Sequence, residues 1–277
     1  MQDAFAYCAE LVRQADRDRY LAALFAPAAE RGALAALYAF NVEIARVREL
    51  AREPLPGEIR LQWWTDVLNG GRREEAEANP VAAALLATID RHHLPANRLS
   101  DLIEARRFDL YDEPMASIAD LENYLERTSS VLIDIAAKVL GADASAAARP
   151  VGIAYGLAGL VRAFPLHAAR RQLFVPEDVL ARHGAHAHDV YAGRSTPAIK
   201  AALAELRALA RQHLATAKDL IIKLPQHALP AFLSIALVRP SLDRLDRSDA
   251  FAPLELAQWR RQWLIWRAAH NPARIVG

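Results

Sequence analysis

Two stretches of this 277-residue chain concentrate side chains able to bind or transform a ligand. The first is Tyr38-Ala39-Phe40-Asn41-Val42-Glu43-Ile44-Ala45-Arg46-Val47-Arg48-Glu49. The second runs from Gly156 through Arg162-Ala163-Phe164-Pro165-Leu166-His167 and Arg170-Arg171 to Glu177-Asp178. Guanidinium forks match phosphate and carboxylate oxygens, so Arg46, Arg48, Arg162, Arg170 and Arg171 are candidates for holding a diphosphate or an acidic head group. The plainer reading makes them surface groups, or partners of Glu43, Glu49 and Glu177. Carboxylates four apart share a helix face and can cage a cation. Glu49/Glu53, Asp109/Glu113 and Glu122/Glu126 have that spacing, and Asp243, Asp246 and Asp249 recur every third residue, but solvated helix faces or loop ends account for these. His183, His186 and His188 are crowded like metal ligands, yet Gly184, Ala185 and Ala187 beside them indicate a mobile loop. His92-His93 ends a helix, where imidazole suits the terminal carbonyls. Cys8, Ser129 and Ser130 have no base nearby in sequence, which argues against nucleophilic catalysis.

The elements that must position these groups are helices. With 53% hydrophobic and 24% charged residues, the chain can fill a sizeable core and remain soluble. Gly is scarce, Ala, Leu, Arg and Glu dominate, apolar positions recur at helical spacing, and no alternating β-branched run is long enough for a strand. The expected helices are 3–14, 17–26, 28–52, 57–69, 79–93, 96–112, 118–141, 145–171, 176–184, 195–224, 226–246 and 253–270. Pro54, Pro56, Pro80, Pro95 and Pro114 mark connections, Gly70-Gly71 and Gly141 mark helix ends, and the polar stretch from Gly70 to Asn79 reads as a loop. With no Gly/Ser-rich linker and no repeat, the reading is one all-α domain over 1–277, a bundle around a central cavity. A net charge of +1 gives no global field for nucleic acid. One cysteine rules out an intramolecular disulfide and a thiolate zinc site and fits a reducing compartment. From Met1 onward there is no basic segment followed by an apolar run, as a secretory signal requires, and no apolar run of transmembrane length occurs.

At the two chemistry-bearing stretches the sequence resembles the squalene/phytoene synthase family. The resemblance begins with Arg31 ahead of Tyr38-Ala39-Phe40. It continues through Arg60-Leu61-Gln62-Trp63-Trp64, Leu102-Ile103-Glu104-Ala105-Arg106-Arg107-Phe108-Asp109-Leu110, Tyr124 and Arg162 to Arg170-Arg171-Gln172-Leu173-Phe174-Val175-Pro176-Glu177-Asp178, in order from about residue 17 to 180. It implies the all-α isoprenoid synthase fold. It also implies, for active members, head-to-head condensation of prenyl diphosphates by two Asp-x-x-x-Asp motifs that hold Mg²⁺ against the diphosphate. Aligned on Tyr38-Ala39-Phe40, the first motif falls on Ala45 and Glu49; aligned on Arg162 and Val175-Pro176, the second falls on Ala163 and His167. One carboxylate of four remains, and His is a poor Mg²⁺ ligand. No metal site or cofactor is therefore expected, and Mg²⁺ belongs only to the alternative of an active prenyltransferase. Asp109 matches a family position near the cleft and is a candidate for a residual anion or metal role. Arg31, Tyr38 and Asn41 join Arg46, Arg162, Arg170 and Arg171 as candidate cleft residues. Arg46 and His167 at the old metal site would favour a bare anion over a cation.

Arg162-Ala163-x-Pro165-x-His167-x-x-Arg170-Arg171-x-x-Phe174-x-Pro176, Asn41-Val42-Glu43 and Leu121-Glu122-Asn123-Tyr124 resemble the divergent branch of the family that contains the mitochondrial complex I assembly factor and its bacterial relatives. That resemblance implies a non-catalytic role in biogenesis of respiratory complex I. The implied partner is a membrane-associated complex I subunit or assembly intermediate, and an isoprenoid or lipid is a further candidate ligand. The expected location is cytoplasmic, with peripheral contact at the inner face of the membrane. Trp259, Trp263 and Trp266, interleaved with Arg260, Arg261 and Arg267, share one helix face. They read as an aromatic stripe docked on the core, with a membrane-interface helix as the alternative.

Overall fold

The computed structural model describes residues 2–51 and 53–277, and among them every regular element is helical. The predicted end of the 28–52 helix at Arg52, like the N-terminal reading at Met1, lies outside the described residues. The backbone forms two compact units. One comprises Met1–Tyr111, Val131–Ala148 and Lys223–Ser234, and the other Asp112–Ser130, Arg149–Ile222 and Ile235–Gly277.

The first unit is organised by the Arg31–Ala45 helix. Eleven of its fifteen residues are buried, from Ala33 to Ile44, so it is apolar all round, as a helix enclosed on every side must be. Ala33, Ala35, Ala36 and Ala39 supply helix propensity and leave room for close neighbours. The helices Gln2–Ala15, Pro80–His92, Ala96–Arg106 and Val131–Val139 pack on it. Phe40 meets Trp64 of the Pro54–Leu68 helix edge to face at 5.0 Å, a contact worth about 0.5–1.5 kcal/mol beyond the area it buries. The predicted helix over 28–52 is instead interrupted at Arg46, whose φ of −93° and ψ of 0° separate Arg31–Ala45 from the short Val47–Leu50 helix. Pro54 and Pro56 are not in a connection. They lie at the start of the Pro54–Leu68 helix, where Pro54 gives up no intrahelical hydrogen bond. The supposed loop from Gly70 to Asn79 contains a helical stretch, Arg73–Ala78, which buries Ala76.

The predicted 145–171 helix, which runs from the first unit into the second, is divided into Ser145–Arg162 and Phe164–Ala169. Pro165 is the physical reason: it has no N–H for the carbonyl four residues back, so the helical ladder is interrupted ahead of it. The predicted 118–141 helix spans both units and is likewise divided. Ile118–Leu125 is closed at its start by a capping box of Ser117 and Asp120, Glu126–Ser130 winds as π-helix, and Val131–Val139 follows. Thr128 donates its hydroxyl to the Tyr124 carbonyl at 2.7 Å inside the wide turn. Gly141 adopts φ of +78° and ends the run, as its position predicted. His186 and His188 are not in a mobile loop: His186 precedes, and His188 belongs to, a short Ala187–Tyr191 helix. The Gln258–His270 helix is docked, but through Ile265 and Ala268, while Trp259, Trp263 and Trp266 are exposed, contrary to the expected aromatic docking.

The tightest constraint in the second unit is the crossing of Ser145–Arg162 over the π turn. A Cβ on Gly152 would lie 2.3 Å from the Ser130 Cα, and one on Gly156 2.5 Å from the Leu125 Cδ2, whereas Gly159 faces open space. Gly152→Ala should therefore lower stability by about 1–3 kcal/mol. Gly159→Ala should raise it by up to about 1 kcal/mol through helix propensity. Chemical denaturation of the two variants checks this, and equal shifts would contradict the crossing.

Candidate functional site

In the first unit the segment Tyr38 to Glu49 forms the end of the buried helix and the turn after it. Tyr38 is buried beneath the Arg19 guanidinium, 5.7 Å from the ring centre, and Arg19 is fixed by Asp16 at 2.5 Å. Asn41 is buried in the same helix, three residues on. Arg31 is exposed at the first turn and donates through Nε to the Ala26 carbonyl at 2.9 Å. Ala45 and Glu49 lie on opposite sides of the break at Arg46, and Arg46 reaches Glu49 at 3.5 Å. Asp109 is nearly buried and accepts a hydrogen bond from Arg106 at 3.0 Å, so its charge is matched locally.

Glu43 takes a different partner from those anticipated for it. Trp64 donates to its carboxylate and Arg60 stabilises its charge, yet burial outweighs both and holds the carboxyl above the usual range. Cys8 is wholly buried, with Sγ 4.0 Å from the Pro80 carbonyl, and burial together with the nearby Glu43 pushes the thiol up to about 12. It is therefore a neutral packing group and not a nucleophile.

In the second unit the segment Gly156 to Asp178 brings several selected residues together. His167 rests its ring on Phe174, 4.7 Å between centroids, and Phe174 lies 6.0 Å from Tyr124. Ala163 is the single non-helical residue ahead of the helix that carries His167. Arg162 and Arg170 are exposed. Arg171 adopts a left-handed φ of 58° and lays its guanidinium over Tyr191 at 5.0 Å. Glu177 and Asp178 donate backbone N–H groups to the carbonyls of Met115 and Ala116, which pins the Phe174-Val175-Pro176 stretch beside the start of the Ile118–Leu125 helix.

Several of the other acidic and histidine candidates are paired. Glu126 accepts from Arg149 at 2.9 Å, Asp243 from Arg211 at 3.2 Å, and Asp249 from Ser195 at 2.6 Å. Burial opposes ionisation of Asp246, but Arg207 and Arg211 outweigh it and hold the carboxyl below its usual range. Ser130 donates its hydroxyl to the Arg149 carbonyl at 2.8 Å. Two pairs escaped sequence reasoning altogether: His213 with Glu122 at 2.7 Å and His183 with Glu205 at 2.6 Å. Their members are 91 and 22 residues apart, so no local spacing signals them.

Similarity to known proteins decides the lineage. The family model for squalene/phytoene synthase matches residues 12–267. The chain belongs to the squalene/phytoene synthase family. Among its relatives, the "NADH dehydrogenase (ubiquinone) complex I, assembly factor 6" of Rattus norvegicus is 33% identical over 250 residues, covering 89% of this chain and 75% of that protein. The protein of the same name from Homo sapiens is 32% identical, covering 88% and 74%. A 15-cis-phytoene synthase from Synechococcus elongatus is 24% identical, covering 90% and 86%. In three dimensions the chain resembles the squalene synthase HpnC of Alicyclobacillus acidocaldarius, with a TM-score of 0.77 at 21% identity over 91% of this chain and 96% of that one. The fold is thus the all-α isoprenoid synthase type of this family, as its resemblance implied.

The Glu43 site carries a pH signature. Its folded-state affinity for a proton exceeds that of the unfolded chain, so the stability from this group is complete below the ordinary glutamate range and falls as pH rises through the folded value. Glu43→Gln keeps an acceptor for Trp64 and has no charge to bury. Its melting temperature should gain on that of the parent as pH rises from acid to neutral, and a pH-independent difference would contradict this account.

Proposed function

We propose that this member of the squalene/phytoene synthase family is a non-catalytic factor that assists assembly of respiratory complex I. The observation that carries the reading is the 31–33% identity, over about three quarters or more of each relative's length, to mammalian proteins named complex I assembly factor 6. The phytoene synthases lie further off, at 24–25%.

The residues at the aligned motif positions support it. Ala45 and Ala163 offer no ligand atom, and Glu49 faces the Arg46 guanidinium. His167 offers a nitrogen, while Mg²⁺ prefers hard oxygen donors. This donor set does not fit a Mg²⁺ cluster, and no prenyl transfer step is derived from it. The proposed partner is a membrane-associated complex I subunit or assembly intermediate, met from the inner face of the membrane. Among the described residues no helix is long and apolar enough to cross a membrane.

A second reading, an active head-to-head prenyltransferase or an isoprenoid-binding protein, is favoured by the shared fold alone. Deleting the gene should lower NADH:ubiquinone oxidoreductase activity and the amount of fully assembled complex I on native gels, with recovery on re-expression of the chain. Purified protein incubated with farnesyl or geranylgeranyl diphosphate and Mg²⁺ should release no pyrophosphate while a family enzyme in parallel does. Normal complex I after deletion, or turnover abolished by Glu49→Ala, would overturn the reading.

A further inference from the structure

The Gln258–His270 helix has an outer face that no intramolecular contact explains. At about 100° per residue, Trp259, Trp263, Trp266 and His270 fall within a sector of about 60°, opposite the buried Ile265 and Ala268. The three indoles are 70%, 46% and 53% exposed. His270 stacks on Trp266 at 4.5 Å, and Arg267 lies over Trp263 at 4.9 Å, so the stripe is braced by its own neighbours. Leaving three indoles in water is unfavourable, and contiguous apolar surface of this kind marks an interaction face.

The charge beside the stripe indicates what it meets. Arg260 and Arg267 project from one flank at about 70–90° from the middle of the stripe. That flank borders a groove of about 240 Å³ whose other side carries Arg239 and Arg274. Asp243 also lines the groove and is held by Arg211 at 3.2 Å, and Arg239 donates to the Gly277 carbonyl oxygen at 3.2 Å. Among the described residues Arg260 and Arg274 form no ion pair, and 258–270 contains three arginines and no acid. On a chain of net charge +1 this is a local concentration of positive charge.

We propose that this helix lies on an anionic phospholipid surface. The indoles enter the boundary between head groups and acyl chains, and the Arg239, Arg260, Arg267 and Arg274 groove receives lipid phosphates. Tryptophan suits that depth because its ring is apolar and its N–H needs a polar partner, and guanidinium forks match phosphate oxygens. An acidic protein would satisfy the arginines but leave the indole stripe unexplained, and a second copy of the chain would bring the same positive groove against itself. The inference rests on these side chains and not on the assembly role, and vesicle binding is read without complex I, so the two readings fail separately.

The test is co-sedimentation of the full chain with vesicles of phosphatidylcholine alone and with about one third phosphatidylglycerol. Binding to the anionic vesicles, weakened by salt and accompanied by a blue shift of tryptophan emission, is expected. Trp259→Ser with Trp263→Ser and Trp266→Ser should reduce partitioning by about tenfold. Arg260→Glu with Arg267→Glu should reduce it by about tenfold or more. Circular dichroism checks folding, and if the tryptophan variant unfolds, the arginine variant, altered only at the flank of the helix, decides. Failure of the parent to bind anionic vesicles, or partitioning of the variants equal to the parent's, overturns the proposal. So does a solution dimer dissociated by the tryptophan substitutions.

Discussion

A helix enclosed on all sides must have no polar face, and the first unit is built around one. Arg31–Ala45 is enclosed by four neighbouring helices because its alanines let backbones approach while Leu34, Leu37, Phe40 and Ile44 fill the gaps. Two of the polar exceptions have a local remedy: Tyr38 under Arg19, and Glu43 against Trp64 and Arg60. The cost remains visible at Glu43, where burial still dominates its titration. Arg46, just past the enclosed span, is half exposed, and there the helix changes direction.

The second unit depends on the opposite device, the absence of a side chain. Gly152 and Gly156 let Ser145–Arg162 come against Leu125 and Ser130, in the place where the backbone widens into a π turn. An extra residue of winding at Glu126–Ser130 and a missing methyl at Gly152 are complementary features of one contact. The pinned Phe174 stretch then brings Tyr124 and His167, far apart in the chain, to a common ring.

Helix content and most helix positions were legible because alanine-rich periodicity and glycine stops are local signals. Gly141 behaved as its type dictates. The breaks were less legible. Pro165 announced the interruption at Ala163, yet apolar periodicity runs through it and suggested one long helix. Arg46 and the π turn carry no comparable breaker. The lineage was readable in ordered motifs, whereas the pairs that neutralise candidate site residues, such as His213 with Glu122, depend on tertiary contact. The tryptophan stripe shows the limit of periodicity: it gives the shared face but not whether that face turns inward or outward.

The enclosure of the Arg31–Ala45 helix has a further consequence for the one thiol in the chain. Cys8 sits on the helix packed against it, wholly buried and neutral, and so it stands outside both disulfide exchange and the sulfenic-to-sulfonic oxidation ladder. Alkylating reagents reach it only when Gln2–Ala15 lifts away. Its rate of modification, relative to that of an exposed thiol, is therefore a built-in clock for local opening of the first unit, set by the free energy of that excursion.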